Sequence, residues 1–370
     1  MVRLTSNKVL QSFLLRLSKI SHFHQIFIYG IGSFGTFWAR CLIKHNIKFD
    51  GFIETSINDI ENETYMGKKV YCISDIPLTG WFLISSLRYK DEMVKNLMSR
   101  GVPEERIISF PDYTMICDVI VDVLEPQQYS AKIRRFKNIH QGERCFIIGN
   151  GPSLQIKDLE NLRGSITMCC NNMFQVFDKT AWRPTYYFVS DLDLSKKLFP
   201  KKANIAFLCS CCKAVFTGIW GNLYQYRDDP NLSNLYFFTE RLLWDDRPPF
   251  SEDVSEVTYG CYTVIYNMLQ FAAYMGFREI FLIGVDHNFT SIVRDDGSVL
   301  KFNQIERNHA EFMDDHQPED IVKFPHVEKM EKAYLAARDY AQANGIKIYN
   351  ATRGGKLEIF ERVDFDRLFQ

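Results

Sequence analysis

Apolar positions along the chain change period several times, and each change marks an element. Within Met1–His22, Val9, Leu10, Phe13, Leu14 and Leu17 recur at spacings of three and four, which predicts an amphipathic helix. A short apolar run, Gln25–Tyr29, then reads as a strand. A helix follows over Thr36–His45, and a second strand over Phe49–Glu54. Strand-like runs at Val70–Cys72, Trp81–Ser85 and Arg106–Ser109 continue the alternation, so residues 1–115 are expected to form a small doubly wound domain. Residues 116–142 read as a helical connector: Cys117–Leu124 is apolar, Glu125-Pro126 interrupts it, and Ala131–Ile139 is a basic helical stretch.

The alternation restarts at Arg144–Ile148. Strands are expected at Ser165–Cys170, Thr185–Val189, Ile205–Cys209, Glu279–Ile283 and Lys347–Tyr349. Helices are expected at Tyr262–Met275 and at Val327–Asn344, the latter stopped by Gly345 at a left-handed cap position. Residues 143–370 are therefore expected to be a second α/β domain, and the fold class is α/β with two Rossmann-like doubly wound domains. Tyr226–Val257 breaks the pattern with acids, prolines and the aromatics Tyr236, Phe237, Phe238 and Trp244; it reads as an insertion or lid, and insertions of that length are usually functional.

Both halves open with a glycine-rich turn after the first strand. In the first half it is Gly30-Ile31-Gly32-Ser33-Phe34-Gly35, where the first glycine permits the bend, the second admits a phosphate and the third lets helix pack on strand. Glu54 ends the next strand, where an acid can hold a ribose hydroxyl. In the second half the turn is Gly149-Asn150-Gly151-Pro152-Ser153, whose small residues and amides suit a phosphate or nucleotide. Three other polar groups follow strands: Asn171 and Asn172; Ser190, Asp191 and Asp193; Gly284, Asp286, His287 and Asn288. Ligands of open α/β sheets gather at the carboxyl ends of strands, so these turns are expected to share one site. Asp191 and Asp193 resemble a carboxylate pair for a divalent cation, or else one of them caps a helix. His326, at the mouth of the last long helix, is a candidate general base or a helix cap. His309 and His287 are further candidates.

Composition narrows the possibilities. Lys and Arg number 44 and Asp and Glu 45, a net charge of −1, so no basic footprint for nucleic acid is present. A chain of 370 residues that is 46% hydrophobic has the composition of packed domains rather than disorder. No run approaches the ~20 apolar residues of a membrane span, and the start lacks a secretory signal pattern. The ten cysteines fall mostly in strand-like apolar runs, which predicts buried free thiols in a reducing cytoplasm. Cys209, Cys211 and Cys212 have no second Cys/His pair at zinc spacing.

Ile148–Leu154, Cys170-Asn171-Asn172, Thr258-Tyr259-Gly260 and Met275–Asp286, taken in that order with the His326 helix, resemble the bacterial CMP-sialic-acid sialyltransferases of glycosyltransferase family 42. The stretch is also similar to the wider family of unknown function 115, whose members include flagellin-modifying glycosyltransferases and an archaeal hydroxymethylpterin diphosphokinase. Asn350–Leu357 fits that wider group. The likeness covers roughly residues 143–362.

The resemblance implies a sialyltransferase-like, GT-A-variant nucleotide-binding domain. It implies that Gly149, Asn150, Gly151 and Ser153 hold a cytidine nucleotide, with Asn171, Asn172, Thr258, Gly260, Gly284 and Asp286 around the donor. His326 matches the family's general base in an inverting transfer, which needs no metal cofactor. Two tyrosines that serve the leaving phosphate have no counterpart; Asn288 and Arg294 stand near their places. Tyr259 replaces a serine, and the arginine before that motif is absent.

The first domain resembles small Rossmann sensors of bacterial surface-polysaccharide enzymes, with Gly30, Gly32, Gly35 and Glu54 as a nucleotide-sugar site or a scaffold.

The expected activity is thus transfer of a sugar, a CMP-activated nonulosonic acid such as sialic acid, from a nucleotide sugar to a surface-glycan or protein acceptor. Such an enzyme is compatible with peripheral membrane association and with a homo-oligomer. One alternative is a Mg-dependent pterin-type diphosphokinase, with Asp191 and Asp286 holding magnesium near ATP. Another is a non-catalytic nucleotide-sugar-binding subunit that recruits partners through Tyr226–Val257.

Overall fold

A computed structural model describes residues 2–55, 64–86, 89–110, 127–190, 195, 198–199, 201–219, 222–242, 248–294, 298–303, 307–313 and 325–370. The chain divides into two compact units, Met1–Glu125 and Pro126–Gln370.

The first unit begins with helix α1 (Val2–Ser21), strand β1 (Ile26–Tyr29), helix α2 (Ser33–Lys44) and strand β2 (Gly51–Glu54). Strands β3 (Thr64–Tyr65), β4 (Lys68–Cys72) and β5 (Trp81–Ile84), helix α3 (Lys90–Ser99) and strand β6 (Ile107–Ser109) follow. The sheet order is β3-β4-β2-β1-β5-β6, parallel except for the short β3. Strand β1 is buried along its whole length because both faces are covered, as continuous apolar runs in parallel sheets require. Phe27, Tyr29, Ile53, Phe82, Ile84 and Leu97 form the core on one face. Phe13 of α1 meets Trp38 of α2 at 5.1 Å and Phe110 edge-on at 5.0 Å.

The second unit starts with helix α4 (Gln127–Arg134), strand β7 (Arg144–Ile148), helix α5 (Ile156–Asn161), and strands β8 (Thr167–Cys170) and β9 (Tyr186–Val189). Helix α6 (Lys202–Cys211) leads to β10 (Ala214–Gly218), β11 (Leu235–Phe238), β12 (Glu240–Leu242) and β13 (Thr258–Gly260). Helix α7 (Val264–Met275), β14 (Glu279–Ile283), the hairpin β15 (Ser291–Val293) and β16 (Val299–Lys301), helix α8 (Val327–Ala343), β17 (Lys347–Asn350) and β18 (Glu361–Arg362) complete it.

Its main sheet runs β11-β10-β9-β8-β7-β14-β17-β18, with every pairing parallel. The order reverses between β7 and β14, which makes the carboxyl ends of that pair the switch point where an open α/β sheet holds its ligand. Alternate strand residues, Cys145 and Ile147, Met168 and Cys170, Phe188, Phe216, Phe238, Ile280 and Leu282, face α7 and α8 in one core. Phe271 of α7 sits against the rings of Phe188, Phe216 and Phe238 at 5.1, 4.7 and 5.4 Å. Helix α7 ends at Gly276 with φ 93, a left-handed cap that only glycine adopts without strain.

Two expectations are corrected. Ile205–Cys209, expected as a strand, lies inside α6 and buries Ile205, Leu208 and Cys209, a spacing of three and four that serves a helix; the strand is β10 instead. Tyr236, Phe237 and Phe238, expected in an insertion or lid, form edge strand β11 and are buried, while β12 pairs in parallel with β13. Trp244, Asp191 and Asp193 lie outside the described residues. So do residues 111–126, and with them much of the expected connector; its remainder packs in the second unit, where Ile133 and Phe136 join the core. No helix among the described residues is long and apolar enough to cross a membrane. The described cysteines are free thiols, and burial pushes the Cys170 and Cys209 thiols up to about 12.

Truncating Phe271, which is fully buried, removes the centre of that ring cluster. Phe271→Ala is expected to cost about 3–5 kcal/mol, read as a lower urea midpoint.

Candidate active site

The switch point is built by two turns pressed together. Gly149 N donates to Ile283 O and Gly151 N to Gly284 O, both at 2.8 Å. A β-carbon on Gly149 would fall 2.3 Å from the Gly284 carbonyl oxygen, and one on Gly151 would fall 2.0 Å from Asp286 Oδ2. Glycine at these positions is a demand of packing, not of backbone freedom.

Ser153 then closes the turn on Asp286: its N–H donates to Oδ1 at 3.1 Å and its hydroxyl to Oδ2 at 2.8 Å. Burial raises the Asp286 carboxyl above its ordinary range, and the Ser153 bonds oppose that rise. The amides of Gly149, Gly151, Ser153 and Leu154 are all engaged inside the protein. The expectation that these amides are free for a phosphate is therefore corrected for Gly149, Gly151 and Ser153. These three bond to the β14 turn, and that of Leu154 closes the turn on itself.

What the crevice presents instead is side-chain amides. Asn150 Nδ2 donates to Cys170 O at 3.2 Å, which fixes its Oδ1 as an acceptor. Asn150 Oδ1, Asn171 Oδ1, Asn172 Oδ1, Asn288 Oδ1 and both His287 ring nitrogens are buried and have no hydrogen-bond partner. These residues follow β7, β8 and β14, three adjacent strands. Buried polar atoms are normally paired, so this concentration at one sheet edge calls for a ligand or water. Backbone strain gathers here as well: Asn171, Tyr262 and His287 have φ of 51, 55 and 52. Non-glycine residues in the left-handed region cluster at functional sites.

Other candidates fall around this core. Ala310 N donates to Asn150 O at 2.8 Å, which brings the segment carrying His309 onto the turn. Arg307 fixes that segment through the carbonyls of His309, Ala310 and Met313, and Asn308 Oδ1 accepts from Thr290 N. His326 stands at the N-cap of α8, but its side chain makes no capping bond. Its ring lies 4.5 Å from that of Tyr262, just past β13. Thr258 is fully buried and its hydroxyl donates to Thr239 O, so it braces β12 against β13; Gly260 is buried at the end of the same strand. Arg294 is exposed on the β15–β16 hairpin, outside the buried polar group.

His287 links the Asp286 turn to α8. Its ring packs against Tyr334 at 5.7 Å, and Nε2 lies 3.4 Å from Glu331 Oε1, within ion-pair range but without hydrogen-bond geometry. Burial lowers its pKa below the ordinary imidazole value, and Glu331 works against that shift. Tyr262 and Glu331 were not singled out in the sequence. The glycine-free turn before α7 gives a faint sign of Tyr262, whereas Glu331 meets His287 only through the fold.

In the first unit, Gly30 has φ 104, and a β-carbon on Gly35 would fall 1.9 Å from Gly30 O, so helix α2 sits directly on the β1 turn; Gly32 has no such neighbour. Glu54, expected to hold a ribose, accepts from Ile31 N at 2.6 Å and closes the glycine turn itself. No group of three or more His, Cys, Asp or Glu that could hold a metal occurs among the described residues. Both Asp286 oxygens accept from Ser153.

Residues 122–291 match the model of the family described as 6-hydroxymethylpterin diphosphokinase MptE-like, so the likeness to the family of unknown function 115 holds over that stretch. No curated protein matches the chain. A solved structure similar to it is the MAf glycosyltransferase from Magnetospirillum magneticum AMB-1, with 12% identity and a TM-score of 0.35. The similarity covers 97% of this chain and 62% of that one, so this chain spans less than two thirds of its length.

A histidine kept neutral by burial makes stability depend on pH. With its folded pKa below the unfolded value of about 6.5, its contribution is present above about 6.5 and lost as pH falls toward the folded pKa. Urea midpoints taken from pH 7 downward are expected to fall more steeply for the wild type than for His287→Gln, by at most about 1.4 kcal/mol per pH unit. Equal slopes would remove the assignment.

Proposed function

We propose that the second unit is a transferase that binds a nucleotide-activated sugar outside the carboxyl ends of β7 and β14. The observation that carries the reading is the set of buried side-chain amide oxygens without a partner, on Asn150, Asn171, Asn172 and Asn288, at that switch point. Amide groups pair with the edge of a base or with sugar hydroxyls, and a nucleoside offers both. The MptE-like match over 122–291 is consistent with a nucleotide-dependent transfer.

In this reading Asn150 Oδ1 accepts from an exocyclic amine or hydroxyl of the donor. Asn171 and Asn172 hold its nucleoside part. Asp286 and Ser153 act together to keep the two glycine turns in register. His326 takes the proton of the acceptor hydroxyl as the oxygen bonds to the anomeric carbon and the sugar–phosphate bond breaks, with inversion. The nucleotide leaves with the bonding electrons. A CMP-activated nonulosonic acid is the donor favoured by the motif likeness, since a monophosphate leaving group carries less charge than a diphosphate and can be stabilised by hydrogen-bond donors alone.

The second reading, pyrophosphoryl transfer to a pterin, is favoured by the description of the matched family. It would use ATP and magnesium in the same crevice. Asp286 would have to exchange Ser153 for the metal.

A thermal-shift panel of CMP, CDP, UDP, ATP and NAD, each with and without magnesium, separates the two. Stabilisation by CMP without metal is expected, by about 2.7 kcal/mol at a hundredfold excess over Kd, and Asn150→Ala should lose it. Stabilisation only by ATP with magnesium selects the diphosphokinase, and no shift with any nucleotide removes both. His326→Ala should abolish transfer and keep the nucleotide shift; unchanged turnover would discard the base.

A further inference from the structure

Arg353 lies in the Asn350–Leu357 motif, which the proposed chemistry leaves without a role. Its guanidinium joins three separate segments. Nη1 donates to Asp158 Oδ2 at 2.7 Å, Nη2 donates to Asp366 Oδ1 at 2.8 Å, and the group lies 5.3 Å from the centre of the Phe365 ring. Asp158 is buried, with a side chain 3% exposed, and the same Oδ2 accepts from Gln155 N at the start of α5. The two acids raise the guanidinium's pKa, so it stays charged.

Two of the segments that meet at Arg353 end on Asp286. From Asp158 the chain runs back through Gln155 and Leu154 to Ser153, which grips the Asp286 carboxylate with two hydrogen bonds. From Arg353 it runs forward through Gly354 and Gly355, with φ of 64 and 74, to Lys356, whose N–H donates to Asp286 O at 2.8 Å. A β-carbon on Gly355 would fall 2.6 Å from that oxygen, so the bend rests directly on the Asp286 backbone. Arg362, held by Glu358, stiffens the same bend through the carbonyls of Thr352, Gly354 and Gly355.

We infer that Arg353 is a positioning residue of the switch-point site: by binding Asp158 it ties the segment that clamps the Asp286 carboxylate to its own segment, which clamps the Asp286 carbonyl, while Asp366 holds the guanidinium in place. Asp286 in turn fixes the spacing of the glycine turns, and through them the direction of Asn150 and Asn288. The functional half of this inference rests on the proposed nucleotide site; the structural half does not.

The test combines hydrogen exchange with nucleotide affinity on the full chain. In Arg353→Ala, exchange at the amides of Ser153 and Lys356 is expected to quicken about tenfold or more, while β7 amides such as Phe146 keep their wild-type rates. CMP affinity should weaken about tenfold, with Arg353→Lys, which keeps the charge but not the two-pronged geometry, falling between. Asp366→Ala removes only the exposed partner, and gives a milder form of the same comparison if Arg353→Ala does not fold. Wild-type exchange at Ser153 and Lys356 in a folded variant overturns the inference, and so does quickened exchange with unchanged affinity. If wild-type protein binds no nucleotide, the functional reading falls separately, and the exchange rates alone decide whether Arg353 holds the clamp.

Discussion

The second unit depends on the contact between the turns after β7 and β14. There, backbone meets backbone: Gly149 faces the Gly284 carbonyl and Gly151 faces the Asp286 carboxylate, at separations that exclude any side chain. This closeness lets Ser153 reach Asp286 with both its donors. Asn150, between the two glycines, keeps its amide oxygen buried and without a partner, as do Asn171, Asn172 and Asn288 after the neighbouring strands. A Rossmann-type glycine turn usually spends its amides on a phosphate. Here the amides of Gly149, Gly151 and Ser153 are spent on the protein, and the polar atoms left without partners are on side chains.

The same substitution occurs in the first unit on a smaller scale. Glu54 reaches back to Ile31 N and closes the glycine loop with a carboxylate, in the place where an anionic ligand would otherwise compete. Both units therefore use an acidic side chain to complete a glycine turn. In the first the acid comes from the neighbouring strand β2, and in the second from the strand across the switch point. A charged acid in that place would repel a phosphate from those amides.

Much of the fold was legible because its strands are short, apolar and bounded by glycine turns whose geometry leaves little choice. Gly30, Gly149 and Gly284 could be read as turns from residue type alone, as could the amphipathic helix around Phe13. Ile205–Cys209 could not, since an apolar run of five looks alike in a strand and in one turn and a half of helix; only Phe207, left exposed, separates them. Tyr236–Phe238 misled for the opposite reason, as polar and proline-rich flanks masked an edge strand. Of the site, the asparagines were visible because each follows a strand. The roles of Ser153 and Glu54 as internal donors and acceptors were not, nor the approach of Glu331 to His287. Those depend on which strands become neighbours, and local pattern does not specify that.

The parallel topology has a consequence for biosynthesis. Strand β7 finds its inner neighbour only when Glu279 can pair with Arg144, and Arg353 finds its outer acid only with residue 366. At about 5–20 residues per second, a ribosome needs of the order of ten seconds to supply the intervening chain. During that interval one edge of β7 is unsatisfied and its apolar faces are open. Until Glu279 is made, β7 can pair in this sheet only with β8, and the switch point does not yet exist.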